Sequence, residues 1–159
     1  MAFTEILVPT LLFDMKAPPP KSAFGNMIDL DVKHAWRTFG GKTVEDAYQG
    51  FKEAPFPQVE NFRWIGPEAF VYYFPVVLRY VESEDAKGDS DTISCFAGIL
   101  ESHLDDNRQA LAVIFPDIAA LSKHVISHYA DYDVSYDIYG DLKSRYEKIA
   151  KQVEQGACT

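Results

Sequence analysis

The sequence predicts an all-α protein: a single compact bundle of about six helices around a Pro-kinked central helix, with an extended N-terminal arm. Two observations carry this. Gly66 to Val81 holds the longest apolar run in the chain and opens with a helix-start signal. Elsewhere, apolar residues recur at spacings of three and four behind polar caps, which is the period of a helix face. In the central run Pro67 suits a first helical position, where its missing N–H would be unpaired anyway, and Glu68 complements the positive end of the helix dipole. Phe70, Phe74, Val77 and Val81 form one face, Val71, Val76 and Leu78 leave the other apolar too, and the helix is expected to be covered on more than one side. Pro75 should kink it near Val71, whose carbonyl loses its donor.

In chain order, residues 1–25 are expected to form an extended arm and Pro-rich spacer, and residues 26–156 the helical domain. Pro9 bars residues 3–13 from a central strand, leaving an edge strand or a docked arm. Ala17-Pro18-Pro19-Pro20-Lys21 reads as a stiff polyproline spacer. Asp29 to Phe39 reads as a first helix stopped by Gly40-Gly41. Thr43-Val44-Glu45-Asp46 is a capping signature for a second, with Val44, Ala47, Tyr48 and Phe51 facing inward. Pro55 and Pro57 predict a non-helical connection to Phe62 and Trp64. Glu82 to Asp91 reads as a solvated loop, with Asp91 capping a helix through His103 whose stripe is Ile93, Phe96, Ala97, Leu100 and Leu104. Leu104 to Asn107 should end it, with Ala110–Phe115 a short helix after it. Pro116 begins a helix along Ile118, Leu121, Val125 and Tyr129, and Asp141 a last one along Leu142, Tyr146, Ile149 and Val153.

Length and composition bound the function. A chain of 159 residues with 47% apolar and 14% aromatic residues suits one domain that needs neither metal nor disulfide to hold it. No run approaches the roughly 18 consecutive apolar residues of a membrane span. The greasy start, Met1 to Leu12, is broken by Glu5 and Pro9, has no preceding Lys or Arg and leads to no cleavage site, so a cytoplasmic protein with Cys95 and Cys158 reduced is expected. Charge is unevenly divided. Residues 1–80 carry nine acids and eight bases, residues 81–159 fifteen acids and seven bases. An acidic half repels phosphate, which disfavours nucleic acid and anionic membrane and favours a cationic partner or solubility alone.

Few residues suggest chemistry. His124-x-x-x-His128 puts two imidazoles on one helix face, a metal spacing if further ligands such as Asp131, Asp133, His103 or His34 converge; the plain alternative is a pair of exposed or hydrogen-bonded histidines. Cys95 has no base or oxyanion motif beside it and reads as an inert buried thiol. Gly40-Gly41-Lys42-Thr43 lacks the upstream glycine of a phosphate loop, and Glu45, Glu53, Asp105 and Asp106 are indistinguishable from ordinary surface acids. No cofactor and no catalytic residue is expected.

The most unusual segment is Tyr129 to Asp141, with four Tyr, four Asp and no base. Tyrosine supplies contact area with few rotors to freeze and aspartate complements Lys or Arg, so Asp131, Tyr132, Asp133, Tyr136, Asp137, Tyr139 and Asp141 are the expected contact residues for a basic protein. The competing reading tucks Tyr129, Tyr136 and Tyr139 into the core.

Gly66-Pro67-Glu68-Ala69-Phe70-Val71-Tyr72-Tyr73-Phe74-Pro75, with the Thr43–Tyr48 element before it, resembles a family of small uncharacterised bacterial proteins with a Pro-Glu-Ala-Phe-x-Tyr-Tyr-x-Pro core. The resemblance covers about two-fifths of the chain and implies a bacterial, mostly helical domain without assigned catalytic residues. In size and charge the chain also resembles the cytoplasmic immunity proteins that neutralise antibacterial toxins. The expected function is therefore non-enzymatic protein binding, as an immunity-type inhibitor covering a basic toxin surface. The alternatives are a metal-dependent enzyme built on His124 and His128, and a homo-oligomeric structural protein joined through residues 3–13.

Overall fold

The computed structural model describes residues 17–157, among which there is no strand. The helices are α1 (Leu30–Phe39), α2 (Val44–Phe51), α3 (Pro55–Val59), α4 (Pro67–Val81), α5 (Ser90–Leu111), α6 (Phe115–Ser127), α7 (Tyr136–Tyr139) and α8 (Leu142–Ala157), joined by short 3-10 segments. Six of them have eight residues or more, so the all-α bundle is observed.

The α4 helix is the axis of the fold. Nine of its 15 residues are buried, and α2, α5 and α6 all pack against it. Its start is fixed by close backbone packing: the Gly66 N–H donates to the Phe24 carbonyl at 3.0 Å, and a Cβ on Gly66 would stand 2.4 Å from the Ala23 carbonyl oxygen. Only glycine permits that approach. The helix stays helical through Pro75. Phe62, Phe70 and Phe96 meet edge-on or stacked at about 6 Å between ring centres, and Phe39 stacks on Tyr73. Polar tips inside this core find carbonyls. The Tyr73 hydroxyl lies 2.7 Å from the carbonyl oxygens of both Phe39 and Lys42, and the Tyr146 hydroxyl donates to Ile93 at 2.6 Å. On the far side α6 and α8 pack along their lengths.

The local rules hold at α1 and α2. Asp29 accepts from the N–H groups of Asp31 and Val32, and Thr43 from that of Asp46. Five expectations are corrected. The Pro-rich segment does not hold an arm away from the body: Pro20 is extended at φ −69° and ψ 165°, but Pro19 is buried, Lys21–Phe24 is a 3-10 turn, and Phe24 is fully buried against Trp36 and Tyr73. The helical body thus begins before residue 26, while the arm at residues 3–13 lies outside the described residues. Pro55 and Pro57 do not prevent a helix, because both stand in the first turn of α3, where backbone N–H groups have no intrahelical partner. The cap of α5 is Asp89, not Asp91, since its second carboxylate oxygen also accepts from the buried Tyr80 hydroxyl at 2.6 Å. The helix does not stop at Asn107; it bends there, at φ −133° and ψ 28°, and continues to Leu111, with a 3-10 turn over Ala112–Ile114 where a short helix was expected. One window within Ser90–Ser127 reaches a mean hydropathy of 1.4, which satisfies a membrane-span test by length and composition. A core helix satisfies the same test, and here Ile93, Phe96, Leu100 and Leu121 are fully buried in the fold.

Candidate protein-binding surface

Residues 129–141 leave α6 and return into α8. Tyr129–Tyr132 is a 3-10 turn, Asp133 adopts a left-handed conformation at φ 55°, a backbone that aspartate tolerates, and α7 follows. The segment is pinned at several points. Tyr132 is 2% exposed and its hydroxyl donates to the Val81 carbonyl at 3.2 Å, at the C-terminal end of α4. Burial pushes that phenol up to about 12. The Gly88 N–H donates to the Asp131 carbonyl at 2.9 Å, tying in the segment that follows α4. Tyr139 donates to Asp91 at the start of α5. Asp141 caps α8, accepting from the Ser144 hydroxyl at 2.7 Å and its N–H at 3.1 Å, and these bonds hold its carboxyl below the usual range.

The seven expected contact residues therefore divide. Tyr132 is buried and cannot touch a partner; Tyr139 and Asp141 are engaged in holding the segment. Asp131, Asp133, Tyr136 and Asp137 are exposed, and their side chains form no hydrogen bond or ion pair with the described residues. Ile138 joins them. Tyr136 and Ile138 are each 73% exposed, and α7 buries none of its residues. Sequence reasoning missed Ile138, although an isoleucine outside any helical stripe, between Asp137 and Tyr139 in an acidic segment, was a usable signal. Of the rings expected in the core by the competing reading, Tyr129 is partly buried against it and Tyr136 is not.

No family model matches the chain, and neither does a curated protein or a solved structure. Its chemistry is read from its own side chains.

His124 and His128 do stack, with ring centres 4.1 Å apart, but among the described residues no group of three His, Cys, Asp or Glu side chains is arranged to hold a metal ion. His103 does not reach them. It is buried against Phe70, its Nε2 donates to the Phe62 carbonyl at 2.8 Å and its Nδ1 faces the Asn107 amide nitrogen at 3.3 Å, a pattern that neutral imidazole satisfies. Burial holds its pKa below the ordinary value. Cys95 donates to Glu60 at 3.0 Å, and burial together with that carboxylate pushes the thiol up to about 12. It stays protonated at neutral pH, which is the opposite of what a nucleophile requires. Glu45 is engaged by Arg79 and Gln49, and Arg79 also lies over the Tyr48 ring.

Proposed function

We propose that this is a non-enzymatic protein-binding domain whose contact surface is Asp133, Tyr136, Asp137 and Ile138, with Asp131 at its border, and whose partner is a basic protein. The observation that carries the reading is the exposure of α7. An isoleucine and a tyrosine on a four-residue helix, each 73% exposed, bury little against the described residues, yet two exposed carboxylates beside them would keep the patch soluble and select a cationic surface. An aromatic and an aliphatic anchor flanked by charge is the composition of a binding hot spot. The Cys95 thiol is held protonated, and among the described residues no third His, Cys, Asp or Glu joins the histidine pair to hold a metal, so neither offers a competing reading. An immunity-type inhibitor, covering a basic toxin surface in the bacterial cytoplasm, is the form of this function that the acidic second half favours; nucleic acid and anionic membrane would be repelled by it.

The test is capture from the native cell with the wild-type chain and with an Asp133→Lys/Asp137→Lys variant, followed by co-expression of the captured protein. A basic partner held by the wild type and lost by the variant, whose toxicity only the wild type relieves, is the expected outcome. A partner held equally by both removes α7 from the interface.

A further inference from the structure

A recess of about 280 Å³ lies beside this surface, lined by Glu82, Glu84, Lys87, His124, His128 and Asp131, with the buried Tyr132 as its wall. It is smaller than most pockets that enclose a cofactor or metabolite, and its size suits a single side chain. Two helix ends meet there. Glu82 is the C-cap of α4 and His128 the C-cap of α6, so the recess receives the negative ends of two helix dipoles of 15 and 13 residues. Independently of that, carboxylates outnumber ammonium groups on its walls. Lys87 is paired with Glu84 at 2.7 Å and also feels the Asp131 carboxylate, whereas neither Glu82 nor Asp131 has an ion pair within 4.0 Å among the described residues. The stacked imidazoles of His124 and His128 line the same cavity.

Resting on the protein-binding reading above, we infer that this recess is the seat of an arginine side chain from the partner, its guanidinium stacked on the outer face of the His124–His128 pair and hydrogen-bonded to Glu82 and Asp131. A guanidinium is planar, weakly hydrated and forked, so it can lie on an aromatic face and bond carboxylates in its own plane, which an ammonium group does less well. The imidazoles must be neutral to accept a cation above them. Burial and the neighbouring ring of His128 hold the pKa of His124 below its ordinary value, with Glu82 and Asp131 acting in the other direction, so the recess is receptive at neutral pH. Acid closes it, because an imidazolium at His124, which faces His128, Glu82, Glu84, Asp131 and Lys87 across the recess, adds a positive charge that repels the guest, while Tyr132 stays protonated.

The experiment uses the full chain and N-acetyl-arginine methylamide as the probe, with N-acetyl-norleucine methylamide as the uncharged control, followed by NMR of the histidine ring protons. The expected result is a saturable movement of the His124 and His128 resonances by the arginine probe alone, weakened severalfold as the pH falls from neutral through the titration of His124. Glu82→Gln/Asp131→Asn weakens it to a similar degree while the dispersed spectrum of a folded chain is kept; the single Glu82→Gln variant serves if the double one unfolds. Absence of saturable movement, equal movement by the norleucine probe, or undiminished binding by the folded variant overturns the inference. So does zinc binding at the same rings that the arginine probe cannot compete away. Tyr136→Ala/Ile138→Ala separates the two readings: it should leave probe binding intact, so loss of the partner with retention of the probe reports on the α7 surface alone.

Discussion

Single atoms decide much of this fold. The Tyr132 hydroxyl supplies a donor to a carbonyl at the end of α4 that has lost its intrahelical partner, and its ring fills the space beneath the recess. Tyr132→Phe should lower the unfolding free energy by about 1 kcal/mol, because it leaves the Val81 carbonyl without that donor but keeps the ring. Tyr132→Ala should cost about 3 kcal/mol or more, because it also opens a cavity; urea denaturation distinguishes the two. Gly66→Ala tests a different physical limit. Its Cβ would meet the Ala23 carbonyl oxygen, a backbone atom that cannot rotate away, and a loss of about 1–3 kcal/mol is expected. An unchanged denaturation midpoint would show that Lys21–Phe24 is not held against α4 as tightly as described.

At the scale of elements, the caps and the exposed helix separate stability from binding. Asp89 joins the start of α5 to the Tyr80 ring of α4, so Asp89→Ala removes a helix cap and a buried hydroxyl's acceptor together, and a loss of about 1–2 kcal/mol is expected from thermal or chemical unfolding. The α7 helix should behave in the opposite way. Tyr136→Ser with Ile138→Ser removes apolar surface that is already in water, and stability should change by less than about 0.5 kcal/mol while capture of the partner is lost. A large loss of stability in that variant would mean that α7 is held by the bundle and is not a free contact surface. Asparagine 107 shows how an element can be misread from sequence: its polar cluster looks like a helix end, yet its amide bonds to His103 and the chain merely bends before winding on.

For the molecule as a whole, two histidines lower stability between neutral pH and pH about 5. His103 and His124 both have pKa values held below the ordinary 6.5, chiefly by burial. Above that value they are neutral whether the chain is folded or not and contribute no pH dependence. Below it the unfolded chain takes up protons that the folded chain refuses, so stability falls as the pH drops. The urea midpoint should therefore be lower at pH about 5 than at pH about 7.5, and His103→Gln should flatten the dependence. Equal midpoints in the wild-type chain would contradict the neutral, donor-acceptor geometry assigned to His103. Partner binding should weaken with added salt, since the proposed surface pairs exposed carboxylates with a basic protein.

The all-α class, the central helix and most helix starts were legible in the sequence because they depend on local rules: residues three and four apart share a face, Asp29 and Thr43 reach N–H groups two or three residues on, and Pro67 fits a first turn. The acidic, tyrosine-rich character of residues 129–141 was legible for the same reason, as composition. Which of those residues face water was not. Tyr132 and Tyr136 have the same side chain and similar neighbours, but one lies over the end of α4, 51 residues earlier in the chain, and the other over nothing. The recess beside them depends equally on distant partners, since α4 and α6 must end at one place for Glu82 and His128 to share a cavity. Contacts made across the chain are set by how helices pack, and packing is decided by the sum of all buried surfaces rather than by any local pattern.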